Sequence, residues 1–283
     1  MQKRKKILAS VLAGTLVLSA CPFALAASYN DSSVTGGSTQ WQAWVSQWDT
    51  TATDYTKVSL TPGADETQLN FAWYSKSESG KTATPVVHFG TDKNSLTAFT
   101  GTSGQVDTSL TDGVAYNYNH VVVTGLKANT TYYYTVEKNG VQTEVQEYKT
   151  GSFDSVKILY VGDPQIGASK GQTQGSDTLK GDSGAGNTAA RNDSFAWNRT
   201  LEIATEQNPD VNFIISAGDQ VNKTGQPKEE EYAGYLSASV LAGLPVATTI
   251  GNHDSLNPDY TYHFNNPNAT ENGKTQAGGD YYY

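Results

Sequence analysis

Two rhythms divide the chain. Between residues 56 and 150 apolar and polar positions alternate: Leu69, Phe71 and Trp73 against Gln68, Asn70 and Tyr74, then Val121 and Val123 against His120, Val122 and Thr124. Tyr132, Tyr134 and Val136 repeat the pattern one strand later. A period of two predicts half-buried strands, and Thr61-Pro62-Gly63, Glu78-Ser79-Gly80-Lys81 and Lys138-Asn139-Gly140 supply the turns between them. Several such strands without helices predict an antiparallel β-sandwich over 56–150.

After Thr150-Gly151-Ser152 the alternation stops and continuous apolar runs interleave with helical spacing, which puts a domain boundary between 150 and 151. Ile158–Val161, Phe213–Ser216 and Val246–Ile250 read as buried strands of an α/β domain over 151–283, a mixed sheet with βαβ units. Trp197, Leu201 and Ala204 space as one helix face, with Asn192 or Asp193 as cap and Asn208-Pro209 as stop. A second helix is expected from Pro227, with Glu229, Glu230 and Glu231 at its positive end, to Gly243. The Gly-, Ser- and Thr-rich segment 168–191 reads as a mobile loop over the strand tips.

The front of the chain follows neither rhythm. Lys3, Arg4, Lys5 and Lys6 precede an apolar stretch from Ile7 to Ala20 and then Ala24-Leu25-Ala26, the pattern of a cleaved export signal over 1–26. The stretch is too short for a transmembrane span, and a secreted protein is the expectation. Leu18-Ser19-Ala20-Cys21 also resembles a bacterial lipobox, which leaves a lipid-anchored surface protein as the alternative. Residues 27–55 read as a polar lead-in and a short helix, with Ser38 as N-cap and Trp41, Trp44, Val45 and Trp48 on one face. That stripe is expected to pack on the domain that follows it; a carbohydrate-stacking platform is the other use of such residues.

Composition narrows the partners. Without the leader, 15 Lys+Arg face 28 Asp+Glu, so the net charge of −9 becomes −13. Nucleic-acid polymers and anionic membranes are poor partners for such a surface, and an anionic substrate needs bound cations to reverse the local field. The single cysteine, Cys21, lies in the leader, so no disulfide braces the rest.

The three apolar runs of the second half end alike, in Gly162-Asp163, Gly218-Asp219 and Gly251-Asn252-His253-Asp254. Ligands of open parallel sheets bind beyond the carboxyl ends of the strands, so hard oxygen donors converging there suit divalent-metal hydrolysis of a phosphoester. These motifs, with Pro164-Gln165 after the first, resemble the calcineurin-like metallophosphoesterase superfamily. Leu126-Lys127-Ala128-Asn129-Thr130-Thr131-Tyr132 is similar to the tyrosine corner of fibronectin type III domains, with Ala128 in place of proline. A fibronectin-like front domain resembles the purple acid phosphatase branch.

The resemblance implies that Asp163, Gln165, Asp219 and Asn252 bind two divalent or trivalent metal ions (Fe, Mn or Zn), with Asp219 bridging. Asn252, His253 and His263 would meet the phosphate of a small-molecule substrate. His253 would stabilise the phosphoryl oxygens or protonate the leaving alkoxide, with Asp254 as acceptor for its ring, and a metal-bound hydroxide would be the nucleophile. The family's usual first-motif histidine is Gln165 here, either a weak amide ligand or a support for other ligands. Asn222 stands where purple enzymes carry a tyrosine. The resemblance also places further histidine ligands, including a GHxH, later in the chain, and no histidine follows His263. The chain therefore looks like the front portion of a longer protein, and alone it is expected to hold metals poorly and to lack turnover. A non-catalytic exported surface-binding protein with a degenerate phosphoesterase domain is the alternative. His88 and His120 read as ordinary sandwich residues, Asp182 and Asp193 as loop and cap residues, and packing of its loop is the other reading of His263.

Overall fold

The computed structural model describes residues 39–77, 82–169, 186–255 and 258–268. The leader with Cys21, the cap residue Ser38, Asp182, most of the 168–191 segment and the closing residues 269–283 lie outside the described residues.

The alternating region forms two antiparallel sheets, preceded by helix α1 (Thr39–Ala52). The strands are β1 (Ser59–Pro62), β2 (Gln68–Lys76), β3 (Val86–Gly90), β4 (Thr97–Thr100), β5 (Thr102–Gln105), β6 (Tyr116–Thr124), β7 (Thr131–Lys138), β8 (Val141–Gln142) and β9 (Gln146–Lys149). One sheet runs β1-β2-β6-β5; the other runs β4-β3-β7-β8, with β9 also on β7. Phe71 faces Val121 and Leu69 faces Val123 across β2 and β6. The inward set closes the core with Trp73, Val87, Phe89, Tyr132, Tyr134 and Val136. The corner predicted at Tyr132 is present: the Lys127 backbone N–H donates to the Tyr132 hydroxyl at 2.7 Å.

The second half supplies a parallel sheet, β10 (Ile158–Val161), β11 (Phe213–Ser216) and β12 (Val246–Thr248), in the order β10-β11-β12. Helix α2 (Gly186–Gln207) joins β10 to β11; α3 (Glu229–Tyr235) and a 3-10 turn (Ser239–Ala242) join β11 to β12, and α4 (Asp259–His263) follows. Four expectations change here. Asn192 and Asp193 sit inside α2 rather than capping it, because the helix starts at Gly186 within the expected loop. The helix expected from Pro227 to Gly243 is two pieces: α3 ends at Tyr235, and Gly243 closes the 3-10 turn instead. β10 is not buried, since as an edge strand it leaves Ile158 40% and Tyr160 71% exposed.

The fourth concerns α1, whose stripe skips the sandwich next in sequence and packs on the second half. Trp41, Trp44 and Trp48 share a core with Phe195, Trp197 and Leu201 of α2 and Tyr232 and Tyr235 of α3. Trp44 Nε1 donates to the Arg191 carbonyl at 2.8 Å, and Phe195 meets Trp41 edge-on with centroids 5.0 Å apart.

β2 is buried on both faces, which the alternation of its sequence does not announce. Its polar side turns to the second half: Asn70 Nδ2 donates to the Asn265 carbonyl at 2.8 Å, and the Tyr74 hydroxyl donates to Glu229 Oε1 at 3.1 Å. Asn265 Nδ2 returns bonds to the carbonyls of Phe71 and Val121. Tyr118 stacks on Tyr262 with centroids 4.5 Å apart, and His120 Nε2 faces the Tyr262 carbonyl at 3.4 Å. Polar β2 positions thus become an interface, with the N–H₂ groups of Asn70 and Asn265 given carbonyl acceptors across it.

Two outcomes follow. Tyr132→Phe leaves the Lys127 N–H without its acceptor in a site the ring still shields, and is expected to cost ~1–3 kcal/mol in urea unfolding at unchanged m value. Burial pushes the His120 imidazole down to about 4, with nearby His263 adding to the shift. The unfolded chain, with an ordinary value near 6.5, then binds more protons between those values. Stability is therefore fully present above about 6.5 and is lost as pH falls towards 4. Denaturation midpoints across that window are expected to fall less steeply in His120→Gln than in the parent.

Candidate metal centre

The three strand tips are brought together by backbone bonds before any side chain contributes. Beyond β10 and β11, Ala217 N donates to the Val161 carbonyl at 2.9 Å, Gln165 N to the Asp219 carbonyl at 2.9 Å and Ile166 N to the Gln220 carbonyl at 3.2 Å. Ile166 and Val221 form a further parallel bridge. Beyond β11 and β12, Thr249 N donates to the Ser216 carbonyl at 3.1 Å.

The chain turns sharply to do this. Gly218 has φ of +106°, Asp219 +47° and Gln165 +37°. Such values suit glycine; in side-chain-bearing residues they are held by surrounding bonds, and they cluster at functional sites. Gly251 is needed for closeness instead, since a Cβ there would lie 1.9 Å from Asp219 Oδ1.

Asp219 is the centre of the group. It is 6% exposed; Oδ1 accepts the His253 backbone N–H at 2.8 Å and Oδ2 accepts from Gln165 Nε2 at 3.3 Å. Among the described residues no lysine or arginine pairs with this carboxylate. Gln165 thus turns its amide N–H₂ to Asp219. Asp163 and Asn252 lie at the neighbouring tips with exposed side chains.

Asp254 does not hold the His253 ring, a correction to the expected pairing. Its buried carboxylate instead accepts backbone N–H groups, from Gly251 at 2.9 Å and Gln220 at 3.1 Å, and so locks two tips together. Burial pushes its carboxyl up to about 6, the Asp219 charge adds to this, and those N–H donors oppose it. The His253 ring meets the Asn222 carbonyl through Nδ1. A carbonyl only accepts, so a hydrogen bond between them requires the proton on Nδ1.

His263 is not brought to the site. It is 2% exposed, pairs with Glu229 Oε2 at 2.5 Å and lies between the rings of Tyr74 and Tyr232. Helix α4 turns it towards the sandwich, so it packs an interface rather than meeting substrate.

Supporting residues came to light only in the structure. Asp193 Oδ2 accepts the N–H groups of Gly167 at 2.9 Å and Ser169 at 3.1 Å, fixing the loop after Gln165. Glu231 Oε2 accepts from Asn222 N at 2.9 Å and Lys223 N at 2.7 Å, and Lys228 Nζ donates to the His253 carbonyl at 2.8 Å. In the sequence these residues are indistinguishable from helix-end charges.

The donors at the tips are two carboxylates and two carboxamides, all hard oxygen ligands. A buried carboxylate that meets N–H dipoles but no side-chain cation fits a hard cation. Two cations need more donors than these four supply, and no group of three or more His, Cys, Asp or Glu suited to a metal occurs among the described residues. A cavity of about 550 Å³ lies elsewhere, lined by Gly63, Gln68, Tyr148, Val156, Asn212 and Pro245 at the opposite, amino ends of β10 to β12.

Comparison with known proteins bears on this geometry. The model of the purple acid phosphatase N-terminal domain matches residues 55–150, and that of the calcineurin-like phosphoesterase matches 156–281. No curated protein matches the chain. Among solved structures, a purple acid phosphatase, PPD1, from yellow lupin (Lupinus luteus) seeds is 17% identical with a TM-score of 0.45, covering 70% of this chain and 35% of that one. A structure of PhoD is 16% identical with a TM-score of 0.42, covering 71% and 40%. The chain spans well under half the length of either. The two family models follow one another over the sandwich and the tip-bearing sheet, so the chain carries a purple acid phosphatase N-terminal domain followed by a calcineurin-like phosphoesterase domain.

Proposed function

We propose that the chain is part of a secreted, metal-dependent phosphomonoesterase that uses a dinuclear centre, with the division between its two domains at 150/151. The observation that carries the reading is the buried Asp219 carboxylate, wedged against Gly251 and bonded to the GNHD turn without a cationic side chain. Asp219 would bridge, with Asp163, Gln165 and Asn252 as neighbouring donors; a second cation draws on donors beyond the described residues. Fe, Mn or Zn bound there would polarise phosphoryl oxygens and acidify a water. Export rests on the leader sequence, with the lipid anchor through Cys21 as its alternative; among the described residues no helix is long and apolar enough to cross a membrane.

The chain's own groups divide the remaining work. Asn252 offers an exposed carboxamide whose N–H₂ orients a phosphate oxygen. His253, with Nδ1–H given to the Asn222 carbonyl, keeps Nε2 for the reacting side, where the protonated ring passes a proton to the leaving alkoxide. Asp254 holds the turn that carries both.

The second reading, a non-catalytic binding protein, draws on the lack of a carboxylate and imidazole cluster among the described residues. Hydrolysis of p-nitrophenyl phosphate by the longest natural chain containing these residues separates the two. On the enzymatic reading a chelator abolishes it, Mn²⁺ restores it, and Asp219→Ala lowers it ~10²–10³-fold, the scale of losing one preorganised electrostatic group. Hydrolysis indifferent to chelator and to Asp219→Ala removes this reading. Residues 27–283 alone are expected to bind Mn²⁺ weakly and to turn over little. Gly251→Ala, whose new methyl overlaps Asp219 Oδ1, is expected to weaken Mn²⁺ binding about as much as Asp219→Ala does, as titration calorimetry or the free-ion paramagnetic signal would register.

A further inference from the structure

We infer that Glu231 and Lys228, one turn apart at the start of α3, are positioning residues that hold the His253 imidazole in its Nδ1–H form. The inference deepens the role proposed for His253 and rests on that reading for its catalytic meaning.

The geometry begins with one peptide plane. The carbonyl of Asn222 and the N–H of Lys223 belong to the same planar, trans unit and point in opposite directions. Glu231 Oε2 accepts that Lys223 N–H at 2.7 Å, so the Asn222 carbonyl is aimed away from α3, and the atom it meets is His253 Nδ1. The same oxygen takes the Asn222 N–H at 2.9 Å, fixing the preceding plane as well. Asn222 is tied from a third side, its N–H also reaching the Ile166 carbonyl at 3.0 Å and its Nδ2 the Gly167 carbonyl at 3.3 Å.

Glu231 cannot easily drift from this place. It is 4% exposed, and its other oxygen lies where a Cβ on Gly167 would come within 2.2 Å. Gly167 is also at φ of +106°, so a side chain there is excluded by conformation as well as by space. Burying a carboxylate is unfavourable unless its oxygens are bonded, and two charge-assisted N–H donors answer that requirement.

Lys228 acts on the other side of the same histidine. Its side chain is 1% exposed and donates from Nζ to the His253 carbonyl at 2.8 Å, while the His253 N–H is given to Asp219. Main-chain N–H, main-chain carbonyl and ring Nδ1 are thereby all assigned, and Nε2 is the remaining polar atom. A buried ammonium and a buried carboxylate three residues apart thus fix ring and backbone together, through groups that touch no substrate.

The tautomer is directly readable. Two-bond ¹H–¹⁵N correlation spectra of the imidazoles, taken where the ring is neutral and assigned by loss of signal in His253→Asn, distinguish protonated from bare ring nitrogens. The parent is expected to show His253 as the Nδ1–H form. Glu231→Met, similar in length but without an acceptor, is expected to shift it towards the Nε2–H form that free histidine favours, while Glu231→Gln, which keeps one acceptor oxygen, retains the parent signals. An Nε2–H parent, or a folded Glu231→Met with parent-like His253 signals, overturns the inference. Should Glu231→Met fail to fold, Lys228→Met is read by the same signals, and an unaltered His253 again overturns it. Hydrolysis is not part of the readout, so a wrong tautomer and a wrong reading of the reaction are told apart.

Discussion

A carboxylate removed from water needs a positive partner, and the tips of the parallel sheet are organised around one whose side-chain cation is missing among the described residues. Asp219 accepts dipoles from the His253 N–H and the Gln165 amide, which soften its charge without neutralising it. Everything near it serves to keep that state. Gly218 lets the strand turn into it, Gly251 leaves room beside it, and Asp254 ties the turn after β12 to the turn after β11 through two backbone N–H groups. Holding Asp219 and Gln165 in left-handed backbone costs about 1–2 kcal/mol each, which the bonds between the loops offset.

The second cluster of buried charge lies between the halves of the molecule. Glu229 meets His263 and the Tyr74 hydroxyl, and the imidazole is enclosed by Tyr74 and Tyr232. Buried hydrogen-bonded polar groups add little net stability when replacement by apolar groups of the same shape is the comparison, but losing one partner leaves the other unsatisfied and is unfavourable. Such a cluster therefore specifies how two surfaces fit more than how tightly they hold. Here it registers the sandwich against α3, the helix whose first turn reaches the candidate site.

How far the sequence was legible depended on the range of the forces involved. Alternation along β2, β6 and β7 records local burial, so the sandwich could be read from it, while the bond at Tyr132 was implied by the resemblance of its corner to that of fibronectin type III domains. The three Gly-Asp and Gly-Asn-His-Asp endings record backbone requirements at neighbouring tips and could be read likewise. Tertiary partners were not legible. Asn70 and Tyr74 could be placed only on the face opposite Phe71 and Trp73, because alternation cannot distinguish water from a second domain. β10 read as buried because an apolar run does not say whether it lies at the edge of its sheet. Glu229, Glu230 and Glu231 looked equivalent as helix-start charges, yet Glu229 and Glu231 are buried in different networks. His263 failed for the same reason, since closeness in sequence to His253 says nothing of the side on which a short helix presents it.

The path of α1 has a consequence for how the protein can be divided. The polypeptide builds its tryptophan stripe into the second half, leaves to form the whole sandwich, and only then returns to complete the layers around that stripe. In space the sandwich is an excursion from the other unit, although in sequence it stands almost first. A scission at residue 150 would separate the tryptophans from the helices they cover, uncovering apolar surface on both products. The mechanical unit is interleaved along the chain, and swapping the front module between relatives would have to leave α1 behind.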